Sequence, residues 1–236
     1  MGDRANRLRE RWQRTLTVLR APRVRIEVYG SDEARAIYRA YTSRHPRFRI
    51  TASKRWGVAL LRLPDTFSEY LADYRTVRRR RRRAGRAGFQ YAVVSPQDHL
   101  DDILEINRSM PMRQSRAMAG HYTDRAQVAK RFEGRPSIHG ILDPGGHLRA
   151  YALVPDIGDA STFSIVIGHA DDLEEGVMFL LVSEVICACI DVRRAIGSPT
   201  WLMYDTFWGA SKGLSSFKEH FGFRPYTVDW VWVDHA

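Results

Sequence analysis

Lys212-Gly213-Leu214, followed by Phe217-Lys218-Glu219-His220-Phe221-Gly222-Phe223, is the stretch around which the rest of this 236-residue chain arranges itself. Phe217 and Phe221 stand four residues apart, the spacing that places two side chains on one face of a helix. Residues 214–221 are therefore expected as a short helix. Beyond it, residues 226–233 alternate apolar and polar side chains and read as a strand. Before it, residues 201–207 also read as a strand.

Working back toward the N-terminus, residues 173–196 form a long, largely apolar helical pattern closed by Gly197. Three strands precede it, at 138–142, at 148–155 after the Asp143-Pro144-Gly145-Gly146 turn, and at 162–168. Residues 124–133 read as a short helix, and 109–122 (SMPMRQSRAMAGHY) as an irregular segment rich in Met and Arg. Residues 97–110 are helical, with Leu100, Ile103, Leu104 and Ile106 inward, and 89–95 form a strand. The order from 89 to 236 is thus β-α-α-β-β-β-α-β-α-β. The expected class is α+β, a mixed and mostly antiparallel sheet flanked by helices.

The first part of the chain differs in charge. Residues 1–88 hold 24 Lys+Arg against 8 Asp+Glu, a net of +16, whereas residues 89–236 hold 13 against 19, a net of −6. Such asymmetry points to a polyanionic partner for the first part. The division expected is a basic N-terminal region, 1–88, and a catalytic domain, 89–236. Leu8, Trp12, Leu16 and Leu19 outline a helix over 3–20. Residues 23–29 read as a strand. Ser31 is a good N-cap for a helix running to about 43, with Asp32 and Glu33 in its first turn. Residues 49–63 hold one or two strands. From Asp65 a long helix carries Phe67, Tyr70, Leu71, Tyr74 and Val77 on one stripe and runs into Arg78–Arg83. Six successive arginines on a helix cover every face, so they cannot all lie against a core.

Composition excludes several classes. No apolar run reaches the length of a membrane span, and the first 20 residues hold no signal-peptide core, so a cytoplasmic protein is expected. Cys187 and Cys189, one residue apart in an apolar helix, read as small buried side chains rather than a disulfide or metal site. The histidines show no metal spacing, and no nucleophile elbow or Walker loop occurs.

The Lys212–Phe223 stretch resembles the "GL…FKxxFG" signature of Fem-type aminoacyl transferases, and the element order resembles that of GNAT acyltransferases. Residues 71–88 resemble the segment of those proteins in which a basic helix with a Gly-rich exit precedes the catalytic domain. The resemblance covers about residues 65–236. The chain departs from the pattern in two ways. Fem proteins carry two full GNAT-like halves, and 1–64 supplies at most a truncated first one. Acetyl-CoA-dependent members have a glycine-patterned loop whose N–H groups cradle pyrophosphate; the corresponding residues here, 169–176, hold four acids instead.

The resemblance implies amide formation from an aminoacyl-tRNA, with tRNA as co-substrate and a small-molecule amine as acceptor. No separate cofactor, metal, membrane or DNA is expected. It implies that Lys218 stabilises the oxyanion or a donor phosphate. By spacing alone, Lys218 reads instead as a surface lysine on a short helix. Asp205, late in the 201–207 strand, is the candidate proton acceptor. Arg113, Gln114, Arg116, Tyr122, Trp208 and Lys212 are candidate acceptor-binding residues. Arg75, Arg78, Arg79, Arg80, Arg81, Arg82, Arg83 and Arg86 are candidate tRNA contacts. The alternatives are an acyl-CoA- or carrier-protein-dependent N-acyltransferase, and a non-catalytic RNA-binding protein on the same scaffold.

Overall fold

The computed structural model describes residues 20–44, 52–113, 116–207 and 210–234. The helix expected over 3–20 lies almost wholly outside the described residues. In chain order the elements begin with β1 (Arg23–Val28), α1 (Asp32–Thr42), β2 (Val58–Arg62), α2 (Phe67–Asp73), α3 (Arg75–Arg86) and β3 (Gln90–Val94). There follow α4 (Leu100–Ser109), the short strands β4 (Met112–Arg113) and β5 (Arg116–Ala117), α5 (Gly120–Thr123) and α6 (Arg125–Phe132). The remainder is β6 (Ile138–Leu142), β7 (Leu148–Leu153), β8 (Ala160–Thr162), β9 (Ile165–Gly168), α7 (Val177–Ile196), β10 (Trp201–Thr206), α8 (Lys212–His220) and β11 (Arg224–Trp232).

These elements form two compact units: the first holds residues 1–63, 155–162 and 196–236, the second 64–154 and 163–195. Chain contacts therefore divide the protein differently from the boundary expected at residue 88. The reason lies in strand pairing. β1 runs parallel to β11, with Arg23 opposite Thr227 and Val28 opposite Trp232. Residues from the basic first part thus complete a sheet with the last strand.

In unit one the sheet order is β1-β11-β2-β10-β8. Its core joins Ile26, Val28, Ala34, Val58, Leu60, Met203 and Val228, all at most 1% exposed. α1 lies against β1 and β11, and Ser31 Oγ accepts a hydrogen bond from Ala34 N at 3.2 Å, the expected cap. Tyr41 packs its ring 5.0 Å from that of Trp230, which donates from Nε1 to Lys54 O at 2.6 Å.

In unit two β3-β6-β7-β9 form an antiparallel sheet. Ile103, Leu104 and Ile106 of α4, with Val128 and Phe132 of α6, pack on Ile138, Leu148, Tyr151 and Ile167. Tyr151 donates its buried hydroxyl to Asn107 Oδ1 at 2.8 Å, and Asn107 Nδ2 donates to Tyr122 O at 2.8 Å, which fixes α5 against α4.

Three expected elements take another form. The helix from Asp65 is two helices, because Tyr74 leaves helical geometry (φ −111°, ψ 72°). α2 starts at a capping box in which Thr66 and Glu69 exchange side-chain-to-backbone bonds. The strand at 162–168 is split: β8 pairs with β10 and β9 with β7. The long helix begins at Val177 rather than 173, after a short 3-10 turn at Ala170–Asp172. Gly176 precedes it at φ +91°, and a Cβ there would stand 2.8 Å from Arg80 O, so only glycine fits. On α7, Cys189 is buried as expected while Cys187 is partly exposed, its thiol pushed up to about 11 by burial and by Asp191 and Glu184. No helix among the described residues is long and apolar enough to cross a membrane.

Candidate active site

α8 begins where Ser211 Oγ accepts from Leu214 N at 3.2 Å. Its inward stripe is Leu214, Phe217, Lys218 and Phe221, spaced three, four and seven residues from the first. Lys218 therefore stands on the apolar face. It is fully buried, not the surface residue that the phenylalanine spacing suggests. Its Nζ lies 5.0 Å from the Tyr204 ring centroid and 5.6 Å from that of Phe207. Nζ donates to Thr206 O at 2.8 Å, the sole hydrogen bond of that ammonium among the described residues. Burial lowers its pKa to about 8; the negative charge of Asp205 works against that fall and the positive charge of Lys54 adds to it. Phe217, Phe221, Phe223 and Tyr204 form the aromatic walls, with Tyr204 edge-on to Phe217 and Phe223.

Asp205 sits where β10 breaks step with β2. Met203 pairs with Leu60, but Thr206 pairs with Val58, so β10 carries one extra residue. Asp205 has φ +54°, the only non-glycine positive φ among the described residues. The bulge presents its carboxylate to solvent, where it forms an ion pair with Lys54. Tyr41 lies close enough to feel that charge. Its hydroxyl, 2.8 Å from Thr162 Oγ1, is held protonated, with a pKa pushed up to about 12 chiefly by burial and further by Asp205. Lys54, Asp205 and Lys218 are thus electrostatically coupled within unit one. Lys54 was not among the sequence candidates: it lies in a segment read only as strand, with no motif around it.

The other candidates divide. Lys212 is the exposed first residue of α8. Trp208 and Gln114 lie outside the described residues. Arg113 and Arg116 are backbone register partners in the β4–β5 pair, in unit two. Tyr122, on α5 in the same unit, packs against the core and takes the Arg131 guanidinium on its ring at 4.5 Å.

The arginine helix α3 belongs to unit two and buries Val77 and Ala84. Arg80, Arg81 and Arg83 are spent on that packing. Arg81 grips Glu184 Oε1 with Nε at 3.0 Å and Nη2 at 2.5 Å. Arg83 grips both oxygens of Glu175 at 3.1 and 2.9 Å. Arg80 donates to Glu174 O at 3.2 Å. Arg75, Arg78, Arg79, Arg82 and Arg86, with the edge of Arg83, line an open groove of about 500 Å³.

The segment after β9 is filled by its own charges. Arg149 binds Asp172 at 2.7 Å and Glu105 at 3.2 Å, and its Nη2 donates to His169 Nδ1 at 2.9 Å.

No protein-family model matches the sequence, and no curated protein matches it. Among solved structures, FemX is similar in fold: 11% identity, a TM-score of 0.53, and a match covering 72% of this chain and 59% of that one. The C-terminal domain of a putative lysylphosphatidylglycerol synthetase from Agrobacterium fabrum shows 16% identity and a TM-score of 0.49, over 71% of this chain and 57% of that one. The L-PGS structure from Bacillus licheniformis shows 13% identity and a TM-score of 0.47, over 71% and 58%. This chain spans under three fifths of each. At this identity the FemX likeness establishes the fold alone: over the matched residues this chain folds like FemX.

Proposed function

We propose that this chain is an amide-forming aminoacyltransferase that takes its acyl group from an aminoacyl-tRNA and passes it to the amine of a small molecule. The observation that carries the proposal is Lys218, a buried lysine whose ammonium makes one hydrogen bond, to Thr206 O beside the strand bulge at Asp205. A cation shielded from water stabilises a developing negative charge far better than one in solvent.

In this reaction the neutral acceptor amine attacks the aminoacyl ester carbonyl. The carbonyl electron pair moves onto oxygen, and the Lys218 ammonium offers its two N–H groups not bonded to Thr206 O to that oxyanion. Collapse forms the amide and breaks the ester C–O bond, and the leaving ribose oxygen takes a proton. Asp205, exposed at the bulge, is the proposed acceptor of the amine's proton. Because Lys218 is fully buried, the chain around it must shift for a donor to reach it. Lys212 is proposed to meet the acceptor at the start of α8. Arg113, Gln114, Arg116, Tyr122 and Trp208 remain proposed contacts for the acceptor on the strength of the resemblance alone.

Support for an ester donor over acyl-CoA comes from residues 169–172. The resemblance puts these residues where CoA-dependent members cradle pyrophosphate on glycine N–H groups, and here Asp172 and His169 are bound to Arg149.

The test is transfer of a radiolabelled amino acid from total charged tRNA to a pool of amines, by wild type and by Lys218→Met. Label in amide linkage with wild type, and a loss of at least 100-fold with the variant, supports the proposal. Transfer from acyl-CoA but not from charged tRNA overturns it.

A further inference from the structure

We infer that the outward face of α3 is a rail for the phosphate backbone of double-stranded RNA, and that five of its eight arginines serve it while three hold the fold. The choice of RNA rests on the aminoacyl-tRNA reading above; the rail itself rests on α3.

At 100° per residue, Arg75, Arg78, Arg79, Arg82 and Arg86 fall within an arc of about 100°, opposite buried Val77 and Ala84. Arg80 and Arg81 flank the buried side, where they meet Glu174 O and Glu184. The side chains of these five residues form no hydrogen bond or ion pair among the described residues. Helix stability does not explain them. Arg75 and Arg78 occupy the first turn, where the helix dipole disfavours cations, and no acid accompanies them there. Arg75–Arg79, Arg78–Arg82 and Arg82–Arg86 are like charges four apart, which repel. A bound polyanion relieves all of these costs together.

The geometry favours a duplex over a single strand. Arg75, Arg79, Arg82 and Arg86 follow one another at steps of about one turn over some 16 Å of a straight helix, which suits phosphates held in fixed positions. Non-specific single-strand sites need aromatic platforms for unstacked bases. The outward arc has none. The nearby ring of Phe67 stacks on Tyr70, Tyr74 packs tilted against Tyr70, and Tyr70 is 1% exposed. The major groove of an RNA helix is too deep and narrow for these side chains to read bases, so the rail is indifferent to sequence.

The test is fluorescence anisotropy with blunt RNA duplexes of about 16 base pairs in two unrelated sequences, and with each single strand, across a salt series. Five contacts give a log–log salt slope of about −4, a loss of a few hundred-fold between roughly 50 and 200 mM salt. Both duplexes should bind alike, and each should bind at least tenfold more tightly than its strands. Arg75→Gln, Arg78→Gln, Arg79→Gln, Arg82→Gln and Arg86→Gln combined should lose the slope and at least 100-fold in affinity with Tm unchanged. Arg80→Gln, Arg81→Gln and Arg83→Gln combined should lower Tm yet, measured where still folded, keep the slope. Single strands binding as tightly as duplexes, or the outward variant keeping its affinity, overturns the rail. The assay contains no aminoacyl group, so its failure is distinguishable from failure of the transfer reaction. Charged tRNA that donates without duplex binding removes the rail and leaves the enzyme. Duplex binding without any donation does the reverse.

Discussion

The Lys218 ammonium lies 5.0 Å from the centre of the Tyr204 ring, inside the protein and off the solvent-facing side of its own helix. Its folded pKa, about 8, is below that of an unfolded lysine, near 10.4. The native state therefore carries a penalty below pH 8 that disappears as pH rises from 8 toward 10.4, where the unfolded chain binds more protons. Wild type should gain on the order of 2–3 kcal/mol relative to Lys218→Met between pH 7.5 and 10. Urea denaturation at a series of pH values reads this; parallel pH dependence for the two proteins rules it out.

The same titration shapes activity. A rate that depends on the ammonium falls above pH 8. In Lys218→Arg, which stays charged throughout, that descending limb should vanish from kcat/KM even if the overall rate drops. A limb unchanged in the arginine variant assigns the decline to another group.

Asp205 has φ +54°, a conformation that glycine and asparagine tolerate and β-branched residues do not. Asp205→Asn should leave thermal stability within about 1 kcal/mol while lowering transfer at least 100-fold. Asp205→Val should cost about 2 kcal/mol or more in the same melts. If Asn and Val are equally tolerated, the bulge is not fixed as described.

Arg81 and Arg79 are near neighbours on α3 with different work. Arg81→Met leaves Glu184, whose side chain is 15% exposed, without its bidentate partner and should cost roughly 2 kcal/mol. Arg79→Met should fall within about 0.5 kcal/mol of wild type in the same denaturation experiment.

A chain beginning at residue 89 keeps every element expected of the catalytic domain but lacks β1 and β2. Both neighbours of β11 are then gone, and its two edges are bare. Such a chain should be insoluble or aggregate, as gel filtration would show. A soluble, cooperatively melting product would mean that residue 88 is a domain boundary after all.

Helices and strands with strong periodicity were legible in the sequence, because burial of one face imposes the period. The Ser31 cap, the strand at β1 and the core face of α4 are examples. What was not legible depended on partners distant in the chain. Pairing of β1 with β11 joins residues about 200 apart, and no local pattern encodes it. The break at Tyr74 and the split of 162–168 follow from packing, and the turn signals there are weak. In the site, Lys218 was identified by resemblance but placed wrongly by spacing. Lys218 is one residue from Phe217 and three from Phe221, so it falls on the apolar face that they define and is buried there. Lys54 left no such mark. The arginine run could be read as unable to bury every member, but which members are held depends on where Glu174, Glu175 and Glu184 lie.

The parallel pairing of β1 and β11 also orders events in time. A ribosome releases residues 64–195 well before β11, so the sheet of unit two has all four strands while unit one still lacks the strand that separates β1 from β2. During that interval β1, whose sole strand partner is β11, and β2, which lies between β11 and β10, wait for neighbours that are still being synthesised. Synthesis slowed between residues 163 and 223 lengthens this exposure, so codon choice there, with no change of amino acid, should alter the soluble yield.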